Sequence, residues 1–93
     1  MNSYSAALPI LKLSIGLKSP DAAQESFLLT KLETAEAELL AAGIPVNETV
    51  PRERNLLVMY AVWLYNSSKD GSAKPPALIN LMNNAKTSPR EVR

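Results

Sequence analysis

The chain has 93 residues, a net charge of +1 and neither histidine nor cysteine; this excludes disulfides, thiolate metal sites, cysteine nucleophiles and every histidine-dependent triad. Three glycines cannot build a phosphate-cradling loop, and a charge so near zero carries no bulk signature of nucleic-acid binding. A hydrophobic content of 46% is that of a globular chain, and the length suits one small helical domain over 1–93, with a core over 8–86, burying about 60–65% of its unfolded surface.

The first segment has two periodicities. Residues 11–18 alternate apolar and polar, which is a strand pattern, while Leu8, Leu11 and Ile15 equally form a helical stripe. No other segment alternates to offer a partner strand, so the reading is a short helix over 8–15. A long helix follows over 20–42. Ser19 is its expected N-cap, Pro20 its first position, Asp21 and Glu25 its early acids, and Gly43 with Pro45 its stop. Leu28, Leu32, Ala35, Leu39 and Ala42 form one stripe, widened by Leu29 and Leu40. Phe27 projects off that stripe. Either the N-terminal segment or the last helix covers it, or it meets another subunit.

The next helix is expected over 50–68, with Pro51 near its start. Its middle is apolar on every side: Leu56, Met59, Tyr60 and Trp63 on one face, Leu57, Ala61 and Leu64 beside it, Val58, Val62 and Tyr65 opposite. A helix of that kind is buried centrally or covered by a second chain, and both readings stand. Residues 66–76 read as a loop, with a turn at Lys69-Asp70-Gly71-Ser72 and Pro75-Pro76 opening the last helix over 76–86. Leu78, Leu81, Met82 and Ala85 make its stripe, opposite Asn80, Asn83 and Asn84. Residues 87–93 carry no apolar period and read as a tail. The fold class is therefore all-α, a small bundle of about four helices.

Nothing in the chain reads as site chemistry. Glu33, Glu36 and Glu38 are the one cluster of carboxylates, and they read as a solvated face. Arg52, Arg54, Lys69 and Lys74 flank the apolar helix and could meet phosphates, but the aromatics Tyr60, Trp63 and Tyr65 have core spacing. No nucleophile has a base beside it, so no catalytic residue, cofactor or metal is expected. The longest apolar run, over 56–65, has ten residues, half of the roughly 20 that a membrane span needs. No positively charged leader precedes the first apolar stretch, and the chain is expected to be soluble and intracellular. Charge is uneven: three lysines against six acids over 1–50 give −3, and seven basic residues against three acids over 51–93 give +4. This reads as solvated faces or, alternatively, as surfaces that fit head to tail.

The order of features resembles the head–tail connector (adaptor) proteins of long-tailed bacteriophages. The matching residues are Leu11-Lys12, Ile15-Gly16-Leu17 and Asp21, then Leu28-Leu29, Leu32 and Ala35. They continue with Gly43-Ile44-Pro45, Arg54, Leu56-Leu57, Met59-Tyr60-Ala61 and Trp63-Leu64-Tyr65, and close with Pro75-Pro76, Leu78 and Leu81. The chain departs from the pattern after Tyr65, where many members have Asn-Arg and this chain has Asn66-Ser67. The resemblance implies a ring of about twelve copies, a closed head-to-tail assembly, in the virion at the head–tail junction and in the host cytoplasm during assembly. Its partners would be the portal protein above, a stopper or tail-completion protein below, and DNA in the channel. On that reading Phe27, Val58, Val62 and Tyr65 are candidates for the contact between copies. The tail of Thr87, Ser88, Pro89, Arg90, Glu91, Val92 and Arg93 would dock on the portal. Lys69 and Lys74 would face the channel or a neighbour. The alternatives are a small helical interaction module and a DNA-binding regulator unrelated to virions.

Overall fold

Four α-helices follow one another: α1 (Ala7–Ser14), α2 (Ala22–Ala41), α3 (Pro51–Asp70) and α4 (Pro76–Thr87). The computed structural model describes residues 4–17, 21–71 and 73–87, and among them there is no strand. The chain is all-α, as the periodicity implied.

The first segment is helical, and Leu13 shows what that decides. As a strand, residues 11, 13, 15 and 17 would share one face. In the helix Leu11 is fully buried while Leu13 is 81% exposed. Pro9 sits in the first turn of α1, where its missing N–H removes no helical bond. At the other end Gly16 has φ +78°, and the Leu17 and Gly16 N–H groups bond back to the carbonyls of Lys12 and Leu13. This pair of bonds satisfies carbonyls that the end of a helix otherwise leaves open.

The start of α2 corrects the expected cap. Asp21 is the N-cap, with Ala22 as the first helical residue; Ser19 and Pro20 lie outside the described residues. The Gln24 N–H donates to Asp21 Oδ1 at 2.8 Å, and the Asp21 N–H donates to Gln24 Oε1 at 3.0 Å. Asp21 with Gln24 thus satisfies two orphan donors reciprocally. Ser19 could not, because the residue three positions on is Ala22, which has no acceptor. The expected stop holds. Gly43 takes φ +86°, and the Ile44 and Gly43 N–H groups bond to Leu39 and Leu40 carbonyls at 2.8 and 2.9 Å. Ile44 and Leu39, which this geometry brings together, are both buried.

Leu28, Leu32, Ala35 and Leu39 are fully buried, so the stripe on α2 is the one its spacing implies. Leu40 does not widen it: one position past Leu39 it turns outward, and it is 60% exposed. Helix α3 packs against each of the other three, and α1 also touches α2. That resolves most of the excess apolar surface of α3. Leu56, Leu57, Val58, Tyr60 and Ala61 are buried within this chain, and Met59, Val62, Trp63, Leu64 and Tyr65 are partly covered. The helix is central, and no single neighbour had to cover it.

Helix α3 also runs further than expected. Residues 66–70 are its last turn rather than a loop, and the helix stops only at Gly71, which is left-handed at φ +69°. Polar Asn and Ser are weak helix formers but do not break a helix; a left-handed residue does. Lys69 therefore lies on this last turn, and its side chain is outside the described part. Helix α4 opens on Pro75, whose carbonyl accepts from the Leu78 and Ile79 N–H groups. Leu78 is its fully buried anchor, with Leu81, Met82 and Ala85 packed around the core. Thr87, expected in the tail, is the last residue of α4. Residues 88–93 lie outside the described part.

Candidate interaction surface

On α3, residues 55, 59, 62, 63 and 66 follow one another at helical spacing along a strip that neither α1 nor the loop after α3 closes. The strip is the floor of an apolar groove of about 520 Å³. Met59, Val62 and Trp63 form the apolar part of the floor. Ile10 of α1 forms one wall, Pro75 the other, and Asn55 and Asn66 mark the two ends along the helix. The loop side is held by aromatic packing. Trp63 meets Tyr60 edge-on, with ring centroids 5.4 Å apart at 82°. Lys74 Nζ sits 4.5 Å from the Trp63 centroid and 5.6 Å from that of Tyr60. The half-buried Lys74 is thus a cation resting on two ring faces.

A second feature lies where α2 meets α3. Phe27 packs edge-on against Tyr65, centroids 6.0 Å apart at 64°, and Lys31 Nζ lies 4.8 Å over the Phe27 ring. Phe27 lines the same cavity as Leu17 of the N-terminal segment. Its partners are a residue of α3 and a lysine of its own helix, and it stays 45% exposed. A cavity of about 280 Å³ beside it is lined by Leu17, Gln24, Leu28 and Tyr65 among others.

Of the four residues read as contacts between copies, Val58 is buried inside this chain at 3% exposure. It lines the base of the groove beside Met59 and Val62 with little surface of its own exposed. Val62 and Tyr65 are partly exposed and Phe27 more so. They do not form one patch: Val62 belongs to the groove, and Phe27 with Tyr65 to the α2–α3 seam.

The three clustered glutamates also separate. Glu33 is exposed. Glu36 Oε1 accepts from the Tyr4 hydroxyl at 2.6 Å, and Glu38 Oε1 accepts from the Tyr60 hydroxyl at 2.7 Å. Glu36 and Glu38 therefore anchor buried rings, while Glu38, like Glu33, stays exposed as the solvated-face reading implies. Burial, the hydrogen bond to Glu36 and the neighbouring carboxylates push the Tyr4 phenol well above the ordinary tyrosine value. Burial first, then the bond to Glu38 and its charge, push Tyr60 up to about 12.

Two further carboxylates had no signal in the sequence. Glu48 is 7% exposed and Glu53 is 8% exposed. Glu48 Oε1 accepts from the backbone N–H groups of Ala6 and Ala7 at 3.1 and 2.9 Å. Glu53 Oε1 accepts from the Asn47 N–H at 2.8 Å. The partners of Glu48 lie 42 and 41 residues away, so no local pattern could have disclosed them. Every buried side-chain nitrogen or oxygen among the described residues has a partner. No group of three acidic, histidine or cysteine residues there could hold a metal. No helix among the described residues is long and apolar enough to cross a membrane. The groove on α3, about 520 Å³, is an apolar surface left open to a partner.

Comparison with family models, curated proteins and solved structures finds no match to this chain.

Proposed function

We propose that this chain is a structural subunit of a tailed-bacteriophage virion: an adaptor that forms a ring between the portal of the head and the stopper or tail-completion component, with DNA passing through the ring. The order of residues set out above supplies this reading, and the open groove on α3 is the observation that supports it best. A ring is a head-to-tail assembly, so each copy must carry two dissimilar surfaces that fit one another. The groove over Met59, Val62 and Trp63 is one concave apolar surface. Exposed apolar side chains stand elsewhere, with Leu40 on α2 and Ile79 on α4. The acidic first half and basic second half of the chain suit the same arrangement. Lys69 and Lys74 remain the basic residues offered to DNA or to a neighbour on this reading.

The test is mass. Native mass spectrometry and light scattering are run on the chain alone and on the chain mixed with a tailed-phage portal protein. A ring-sized species in either sample is the expected result, and Val62→Arg should abolish it while leaving helix content unchanged. A monomer in both samples would overturn the reading. Duplex binding by the monomer, with an affinity that falls steeply with salt, would replace it with the DNA-binding regulator.

A further inference from the structure

The groove on α3 and the outer edge of α2 face away from each other across the pair of helices. Successive residues of a helix are about 100° apart round its axis. Tyr60 and Tyr65 are the α3 residues that touch Glu38 and Phe27 of α2. By helical spacing they bracket a direction about 160° from the line of Asn55, Met59, Val62 and Asn66 that floors the groove. On α2, Glu33 and Leu40 stand about 120–160° round the helix from Glu38 and Phe27, and both are exposed. A projection on one side and a recess on the other can join copies head to tail, without a two-fold axis.

Charge selects which projection fits. The exposed large apolar side chains among the described residues are Ile10, Leu13, Phe27, Leu40 and Ile79, and Ile10 already belongs to the groove. No acid lines the groove. Arg52 stands exposed about two turns before Met59 on the same line of α3, and Lys74 rests on Trp63 at the loop side. Beyond Asn66, Lys69 and Asp70 offset each other in charge. A side chain entering this basic margin is favoured when it brings an acid with it. Leu13 and Ile79 stand on helices whose residues include no acid. Phe27 lies under Lys31 and against Tyr65. Leu40 is the one with an exposed acid, Glu33, along its own line of the helix.

The spacing matches as well. Glu33 stands seven positions before Leu40, and Arg52 stands seven before Met59. Seven residues are close to two turns, about 10 Å along either axis. We propose that the groove on α3 receives α2 of a second copy of this chain, with the two helices parallel: Leu40 seats over Met59 and Val62, and Glu33 meets Arg52. Ala37, between Glu33 and Leu40, adds little bulk to the approach. Leu40 supplies the apolar contact, and the ion pair at the rim sets the register and the order of the two copies. This rests on the ring reading for association between copies, and names the surfaces that meet; it needs neither portal nor DNA.

The chain has no cysteine, so introduced ones report on this contact without interference. Leu40→Cys and Met59→Cys are made in separate, differently tagged copies, checked for unchanged helix content, mixed at high concentration and oxidised. The disulfide between the two variants should form in preference to a disulfide within either. In the cysteine-free chain, Glu33→Arg and Arg52→Glu change exposed positions. Each should weaken self-association by about tenfold or more in light scattering, and the two together should recover most of it. A dominant disulfide between two copies of the same variant, no disulfide at all, or no recovery in the double variant overturns the pairing. Its failure is distinct from that of the ring. A ring-sized species without the mixed disulfide sinks the pairing and leaves the ring reading, whereas the mixed disulfide with only short open chains does the reverse.

Discussion

Helices α1 and α2 begin in opposite ways. The start of α2 is closed by residues within three positions of each other, Asp21 and Gln24, which satisfy one another's donors. The start of α1 is closed by Glu48, more than forty residues later in the chain. A local cap works wherever the helix is, so α2 keeps its start whether or not it is packed. A distant cap exists only once the chain has folded, and it ties the helix to the element that supplies it. The two helices end alike, each on a glycine with positive φ and the same pair of backbone bonds. The asymmetry therefore lies at their starts, and it makes α1 the part of the bundle most dependent on tertiary structure.

The largest effect should come from below both helices. Leu57→Ala empties a site that is 1% exposed on the central helix, and it should cost about 2–5 kcal/mol in chemical denaturation, because the bundle cannot close around the loss. A cost under about 1 kcal/mol would show that α3 is not the common support of the other three.

The contrast between the two caps is sharpened by removing each. Glu48→Ala leaves two N–H groups without their acceptor at a buried site and should cost about 2 kcal/mol. Asp21→Ala removes an exposed cap and should cost about 1 kcal/mol. In thermal melts both lower the transition. By amide exchange, the first should loosen α1 and the second should loosen the first turn of α2. Equal and indistinguishable effects would erase the difference between local and distant closure.

The smallest effect concerns the two tyrosine anchors and appears at high pH. Tyr60 is raised from 10.0 to about 12 in the folded chain, and Tyr4 is raised as well. A raised folded value means that the fold favours the protonated phenol. The contribution is thus complete below about pH 10, the unfolded value, and is lost as pH climbs through the folded one. The melting temperature should hold level between pH 8 and 9 and fall between about 10 and 12. Tyr60→Phe should cost about 1 kcal/mol at neutral pH and make that alkaline fall shallower. A fall of unchanged steepness would mean that Glu38 does not anchor the ring.

Most of the secondary structure was legible in the sequence, because its signals are short-ranged. The stripe of Leu28, Leu32, Ala35 and Leu39 repeats at the helical period, and Gly43 followed by Pro45 announces a stop. The errors share a cause. Ser19 and Asp21 are both good caps by type, and only the presence of Gln24 three residues after Asp21 separates them. Leu40 is apolar, yet it is 60% exposed. The candidate surface was half legible: Met59, Val62 and Trp63 were visible as apolar excess. That α1 and residues 73–75 would wall those residues into a groove, with Val58 buried at its base, was not.

The sequence by itself determined that this is an all-α chain, where its two long helices lie and which stripe of α2 faces inward, because period and breakers act within about one turn. Tertiary structure alone decided which of the many apolar faces of α3 would be covered, and that Glu36, Glu38 and Glu48 would hold Tyr4, Tyr60 and the start of α1. Those choices depend on which groups meet across tens of residues. A buried donor accepts whichever acceptor the packing brings to it, and no local pattern records that meeting.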